Sequence, residues 1–251
     1  MKTRWDAVAL CNWKGESFTF GECASLIGRF HVLFREAGIS NGDKIAICAK
    51  NSARWAVSFL AVNTYGAVAV PILADFHPDS VNALTDHSES VLLITDNDIW
   101  KKLDITKMPL LKGALSTADF SLLYCRDTAL RSAFDRLDSL FAAKYPEGFT
   151  RDDVSYPSDN GEDLAVINYT SGTTSAPKGV MLRYECISSN VEFGLKRIPV
   201  NVGDTIVSML PLAHMYGMAF EFLYPLCGGA TIYFLGKTPT PSLLLGAMAQ
   251  V

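Results

Sequence analysis

Several features are scarce in this 251-residue chain, and each scarcity removes a class of protein. Six cysteines stand far apart, at positions 11, 23, 48, 125, 186 and 227. No two have the spacing of a zinc site or a redox pair, so they read as free thiols in a reducing compartment. Positive charge is not in excess: 22 Lys and Arg face 26 Asp and Glu, for a net charge of −4. No segment concentrates basic residues, so a nucleic-acid partner is not indicated. The N-terminus, MKTRWDAVALCNW, lacks the apolar core of a signal peptide. Internal repeats and low-complexity tracts are missing. One run, residues 55–74, carries no charge and has the length of a membrane span. Ser58, Asn63, Thr64, Gly66 and Pro71 interrupt it, and a buried helix followed by a buried strand accounts for it better. A cytoplasmic protein without a transmembrane segment is the expectation.

What is present is a globular composition, 49% hydrophobic and 19% charged, enough for one large or two small cores. Thr19-Phe20-Gly21-Glu22 has the spacing of a capping box and opens a helix reaching Ala37, with Gly38 as its stop. KIAICA (44–49) reads as a buried strand. Ser52 caps a helix to about Tyr65, Gly66 ends it, and AVAVPI (67–72) is the next apolar run. Pro78 suits the first turn of a helix to about His87, and VLLI (91–94) is a third strand. Alternating helices and near-continuous apolar strands predict an α/β fold of parallel-rich sheets covered by helices. Further along, residues 121–125 read as strand and 128–144 as one helix, by the spacing of Leu130, Phe134, Leu137 and Phe141. Residues 145–163, rich in Pro, Gly, Asp and Ser, read as a surface linker. Strands are expected at 163–169, 205–210 and 230–235. Helices are expected at 184–195 and 213–223, and from Pro241 onward.

The segment YTSGTTSAPKGV (169–180) draws the eye, because it joins an apolar strand to a loop of hydroxyls and glycines that ends in one lysine. Backbone N–H groups in such a loop converge on an anion. Thr170, Ser171, Thr173 and Thr174 add hydroxyls, and Lys178 adds a mobile charge suited to phosphate. The loop leaves the carboxyl end of a strand, where α/β folds bind ligands. It is not a GxxxxGK[ST] loop, since Pro177 works against a helix presenting Lys178. The bland alternative is a Ser/Thr-rich surface turn.

Residues 169–179 resemble the phosphate-binding loop of the adenylate-forming (AMP-binding) superfamily, which includes acyl-CoA synthetases, luciferases and the adenylation domains of peptide synthetases. LPLAHMYG (210–217) resembles that family's next motif, in wording closest to fatty acyl-CoA synthetases. YGAVAVP (65–71), FTF (18–20), GDKIAI (42–47) and DHSES (86–90) fall in family order. The resemblance runs from about residue 15 to 235 and is weakest between about 100 and 160. It implies part of the large N-terminal domain of an acyl-CoA synthetase-like enzyme. Residues 1–180 would form a first α/β subdomain with the phosphate loop, and residues 181–251 would begin a second.

By the same resemblance, Thr170, Ser171, Gly172, Thr173, Thr174 and Lys178 hold the phosphates of ATP, and Thr170 also touches magnesium. His214 would stand beside the carboxylate and the forming acyl-adenylate, so His214 and Lys178 are the candidate catalytic residues. Read without the family, His214 is a helix-start histidine that only packs or caps. His31, His77 and His87 have no constellation and read as structural. The implied reaction is ATP-dependent activation of a carboxylic acid, a fatty acid by preference, followed by transfer to coenzyme A or another thiol acceptor. An aryl- or amino-acid-adenylating ligase and a non-catalytic nucleotide-binding relative are the alternatives, and self-association as a homodimer stays open. Ser175 replaces the family's usual glycine, at a cost of about 1 kcal/mol or more if that backbone needs positive φ. The family's later motifs, including Tyr-Gly-x-Thr-Glu and the catalytic lysine of a C-terminal domain, do not occur here. The expectation is therefore a fragment, without that domain, that does not complete the reaction alone.

Overall fold

The structure is a computed structural model and describes residues 2–156, 160–170, 178–237 and 239–249. A short 3-10 turn, Lys2–Arg4, precedes β1 (Val8–Asn12) and β2 (Ser17–Thr19). Then come α1 (Phe20–Glu36), β3 (Lys44–Cys48), α2 (Ala53–Tyr65), β4 (Val68–Ile72), α3 (Pro78–His87), β5 (Ser90–Thr95) and α4 (Asn97–Trp100). After β6 (Gly113–Ser116) and β7 (Leu122–Cys125) follow α5 (Thr128–Asp135) and α6 (Leu137–Lys144). The chain continues through β8 (Leu164–Thr170), β9 (Lys178–Arg183), α7 (Tyr184–Arg197) and β10 (Thr205–Ser208). A π-helical stretch, Gly217–Leu223, runs into α8 (Tyr224–Cys227), followed by β11 (Thr231–Phe234) and α9 (Pro241–Met248).

Local chemistry accounts for many of these boundaries. The Thr19 hydroxyl accepts the Glu22 N–H at 3.1 Å, and the Glu22 carboxylate accepts the Thr19 N–H at 2.7 Å, so the expected capping box opens α1. Ser52 Oγ accepts the Trp55 N–H at 3.1 Å and opens α2. Gly66 closes α2 at φ +93°, a left-handed geometry that glycine adopts without a side-chain clash. Pro78 stands in the first turn of α3, where its missing N–H costs nothing.

Two sheets form among the described residues. The larger has the strand order β7-β6-β5-β3-β4-β8-β9. Its middle strands β6, β5, β3, β4 and β8 run parallel, while β7 and β9 are antiparallel edges. All five residues of β4 are buried, as a parallel strand covered on both faces requires. The smaller sheet has the order β10-β11-β1-β2. It joins the two ends of the chain, with Leu10 opposite Ile232 in parallel register. Sheet membership therefore does not follow chain order. Strands β1 and β2 lie with β10 and β11, and β9 lies with the first sheet.

Helix α2 stands between the layers, touching β3 and β4 on one side and β1 on the other. A ladder of rings crosses it. Trp55 stacks on Phe59 at 5.7 Å, Phe59 meets Phe222 edge-on at 6.1 Å, and Phe222 meets Phe234 of β11 at 6.5 Å. All four rings are fully or almost fully buried. Such pairs add about 0.5–1.5 kcal/mol each beyond the area they bury. Polar ties fix the same layer: Asn12 Oδ1 accepts the Ala53 N–H at 2.8 Å, and Arg54 grips Glu16 with two guanidinium nitrogens at 2.9 Å each.

The structure corrects several expectations. Residues 128–144 form two helices with a break at Arg136, not one. The break lets α5 bury Leu130 and Ala133 while Phe141 of α6 reaches the rings of Tyr145 and Phe149 at 4.9 and 5.9 Å. Residues 145–156 are not a free linker, because Phe149 stacks near Trp5 at 6.3 Å and Val154 is buried. The expected helix over 213–223 is wound largely as π. Pro225 has no N–H to return to the carbonyl four residues back, so the helical ladder is interrupted there. Strands β1, β2, β6 and β9 were not anticipated. The uncharged run at 55–74 divides into α2 and β4, and no helix of the described residues is long and apolar enough to cross a membrane.

Candidate functional site

Strands β8 and β9 form a hairpin in which Thr170, the last residue of β8, stands opposite Lys178, the first of β9. The loop between them contains Ser171, Gly172, Thr173 and Thr174, and with them Ser175; all five lie outside the described residues. Thr170 and Lys178 are both exposed at the carboxyl end of β8. Lys178 is thus presented from a strand, in keeping with the proline before it. Side chains alternate along a strand, so Asn168, Thr170, Lys178 and Val180 share one face of the hairpin and Tyr169 takes the other.

On the far face, Gly179 lies opposite Tyr169. A Cβ on Gly179 would come within 2.9 Å of Ile167 Cγ2 and 3.2 Å of the Tyr169 ring, so the glycine of Pro-Lys-Gly makes room for that ring. The Tyr169 hydroxyl meets His87 Nδ1 at 2.7 Å, and burial raises its pKa. His87 therefore supports the strand that leads to the loop. His31 is structural too: Nε2 lies 3.1 Å from the Ala61 carbonyl, and burial lowers its pKa to about 4. His77 caps α3, its Nδ1 accepting the Asp79 N–H at 3.4 Å.

The near face meets the segment that carries His214. Asn168 is buried, and its Nδ2 donates to the Ala213 carbonyl at 2.8 Å. His214, the next residue, is exposed. Its N–H donates to the Pro211 carbonyl at 3.0 Å, and its own carbonyl accepts the Met218 N–H at 3.0 Å, so it sits at the entrance of a helical turn. The structure thus brings Thr170, Lys178 and the His214 segment to one edge, where the first sheet meets the second.

A cavity of about 610 Å³ opens along the segment that leads to His214. It is lined by residues 49–51 and 73–75 at the carboxyl ends of β3 and β4, by residues 208–211 and Ala213 after β10, and by residues 235–237 after β11. This is the crevice beyond the strand ends where open α/β sheets bind ligands. Lys50 and Lys237 supply positive charge there, and Leu73, Met209, Leu210 and Leu235 supply apolar wall. Asn51, Asn168 and Glu221, whose side chains all hydrogen-bond the backbone of residues 209–213, were missed from the sequence. The signals available were a polar residue inside the apolar strand LAVINYT and one acid inside the apolar run MAFEFLYPL.

The sequence pattern of the AMP-binding enzyme family matches residues 1–251. The chain belongs to the AMP-binding enzyme family. A chloroplastic long-chain-fatty-acid–[acyl-carrier-protein] ligase of Arabidopsis thaliana is 27% identical over 92% of this chain and 35% of its own length. Long-chain-fatty-acid–CoA ligase 5 of Rattus norvegicus is 29% identical over 78% of this chain and 30% of its own length. The chain therefore spans about a third of the length of these relatives. The ATP-bound crystal structure of MatB from Rhodopseudomonas palustris superposes with a TM-score of 0.77 at 20% identity, covering 100% of this chain and 46% of that one. That likeness establishes the fold: this AMP-binding chain has the architecture of the N-terminal part of an adenylate-forming enzyme. Within it, Thr170 and Lys178 stand on either side of residues 171–177.

Proposed function

We propose that this chain carries the nucleotide-binding part of an ATP-dependent acid–thiol ligase, with a fatty acid as the favoured substrate. The observation that carries the reading is the Asn168–Ala213 hydrogen bond, which joins the strand of the phosphate loop to the segment of His214. It brings Thr170, two residues on from Asn168, and the exposed imidazole segment of His214 toward a single edge, which supports the reading.

In the proposed reaction a carboxylate oxygen of the acid attacks the α-phosphorus of ATP. The new O–P bond forms as the bond to the bridging oxygen breaks, and pyrophosphate leaves with the electron pair. The product is an acyl-adenylate; a thiol sulfur then attacks its carbonyl carbon, the C–S bond forms as the C–O bond to AMP breaks, and AMP leaves with the electron pair while the thiol loses its proton. Little covalent work falls to the protein, so catalysis rests on holding two anions together and stabilising the leaving pyrophosphate. Lys178 and the loop residues Ser171, Gly172, Thr173 and Thr174 hold the β- and γ-phosphates. His214 orients the acid against the α-phosphate.

Among the described residues no three His, Cys, Asp or Glu side chains converge into a metal cage. Magnesium would arrive on the nucleotide, since it keeps several waters and binds largely through phosphate oxygens. Thr170 is the protein oxygen assigned to it, and the ion would neutralise charge on the leaving group.

The test is carboxylate-dependent ATP–pyrophosphate exchange by the longest polypeptide the gene encodes, over acids from acetate to palmitate plus aryl and amino acids. Exchange with fatty acids supports the reading, and exchange confined to aryl or amino acids replaces the substrate. A folded protein that neither exchanges nor binds magnesium-ATP would overturn it. One named relative takes an acyl-carrier-protein acceptor and another coenzyme A, so both thiols belong in the second half-reaction. Coenzyme A is the acceptor we favour.

A further inference from the structure

The segment from Ser208 to His214 leaves β10 and has no regular structure until the helical turn at Met215. An irregular segment at a sheet end ordinarily has freedom to move. Here three side chains from three separate elements hold its backbone. Asn51, in the loop after β3, donates from Nδ2 to the Leu210 carbonyl at 2.6 Å and accepts the Leu212 N–H on Oδ1 at 2.9 Å. The two contacts need opposite ends of the amide, so only one orientation of Asn51 satisfies both. Glu221, on the π-helical stretch, accepts the Met209 N–H at 2.7 Å and the Leu210 N–H at 2.8 Å on a single oxygen. The same oxygen takes the Ser208 hydroxyl at 3.3 Å. Asn168, on β8, takes the Ala213 carbonyl. Leu210 is thus held at its N–H from one side and at its carbonyl from the other.

We propose that Asn51, Asn168 and Glu221 act as positioning residues. They lock the 208–214 backbone so that His214 keeps one placement relative to the strand that carries Thr170. The proposal rests on the acid–thiol ligase reading for its catalytic consequence, while the clamp itself is a property of this chain. Asn168 carries most of the weight, because it sits two residues before Thr170 on the same strand face. A shift of the phosphate-loop strand is transmitted through its amide to the residue before His214. The wide winding at residues 217–223 belongs to the same device, since Glu221 reaches the clamp from within that stretch. π turns recur at functional sites for this kind of side-chain placement.

The experiment uses Asn51→Ala, Asn168→Ala and Glu221→Gln, with Glu221→Ala as the harsher partner of the last. In the gene's longest polypeptide, exchange is measured with palmitate and magnesium-ATP. A misplaced His214 lowers kcat by about tenfold to a hundredfold while the KM for magnesium-ATP changes little. Glu221→Gln retains part of the activity that Glu221→Ala loses, because one acceptor oxygen remains. In the 251-residue chain, the imidazole proton signals of the histidines are followed by NMR, with His214 assigned by its loss in His214→Gln. The clamp predicts that the His214 signal shifts or broadens in each variant while those of His31 and His77 stay fixed. If Asn168→Ala fails to fold, Glu221→Gln decides by the same two readouts. An unmoved His214 signal in every folded variant overturns the proposal, as does a KM increase with kcat intact. Absence of exchange in the wild type sinks the ligase reading alone, since the NMR arm still judges the clamp.

Discussion

Gly217, the last residue of LPLAHMYG, sets two well-known effects against each other. It is the first residue of the π-helical stretch, and replacing a helical glycine with alanine ordinarily gains up to about 1 kcal/mol from a less disordered unfolded chain. A Cβ at this position, however, would lie 2.6 Å from the Pro211 carbonyl oxygen and 3.3 Å from both the Cβ and the carbonyl oxygen of Leu210. The nearest of these atoms is backbone, and it is already committed: the Pro211 oxygen accepts the His214 N–H at 3.0 Å. The Leu210 peptide is held by Asn51 and Glu221. Relief by rotating a side chain is therefore closed, and overpacking of this kind costs about 1–3 kcal/mol. The net expectation for Gly217→Ala is a loss of about 1–2 kcal/mol, read as a fall of several degrees in the thermal midpoint, at about 2–4 °C per kcal/mol for a chain of this size. Gly161→Ala is the control, because its Cβ would meet only Glu185 Cβ at an ordinary 3.5 Å. Urea unfolding followed by circular dichroism measures both. A Gly217→Ala chain as stable as the wild type, or more so, would show that the 210–217 segment gives way freely, and the reasoning would fail.

Other outcomes follow from the same geometry. The folded pKa of His31 lies near 4 because of burial, against an ordinary value of 6.5. The unfolded chain therefore binds more protons between those values, so the contribution of His31 is complete above about pH 6.5 and is lost as pH falls toward 4. The full difference is worth about 3 kcal/mol, and His31→Gln should flatten the stability–pH curve in that window; identical slopes would count against it. Thr19→Ala removes the acceptor of the Glu22 N–H from the capping box and should cost about 1 kcal/mol in urea unfolding, with no change indicating that the cap adds nothing. Lys178→Met should leave the thermal midpoint within a degree or so, since Lys178 is exposed. It should weaken magnesium-ATP binding about tenfold by calorimetry, in line with the loss of one charged contact to phosphate. Unchanged affinity would remove Lys178 from the site.

Much of the first sheet could be read along the chain because its signals are local. A capping hydroxyl, a glycine stop or an apolar run of strand length acts within a few residues of itself. Thr19, Ser52, Gly66 and Pro78 therefore marked real boundaries. The hydroxyl-rich segment 171–177 lies outside the described residues, and of that reading the structure describes only its flanks, Thr170 and Lys178. The break at Arg136 was not legible, because the helical spacing of residues 128–144 continues unbroken across it. In the structure the chain breaks there, with α5 burying Leu130 and Ala133 and no residue of α6 buried.

The sequence alone determined the α/β class, the buried strand that precedes the hydroxyl-rich segment, and that Lys178 behind Pro177 is not presented from the first turn of a helix. Only the tertiary structure decided that β1 pairs with β11, that β9 turns back along β8, and that Asn51, Asn168 and Glu221 meet on one backbone segment. The reason is physical. Backbone geometry and capping are near-neighbour energies carried by each residue with its close neighbours. Strand partners and buried polar contacts are chosen by complementarity between segments as far apart as Leu10 and Ile232, and no short stretch of the chain contains both halves of that choice.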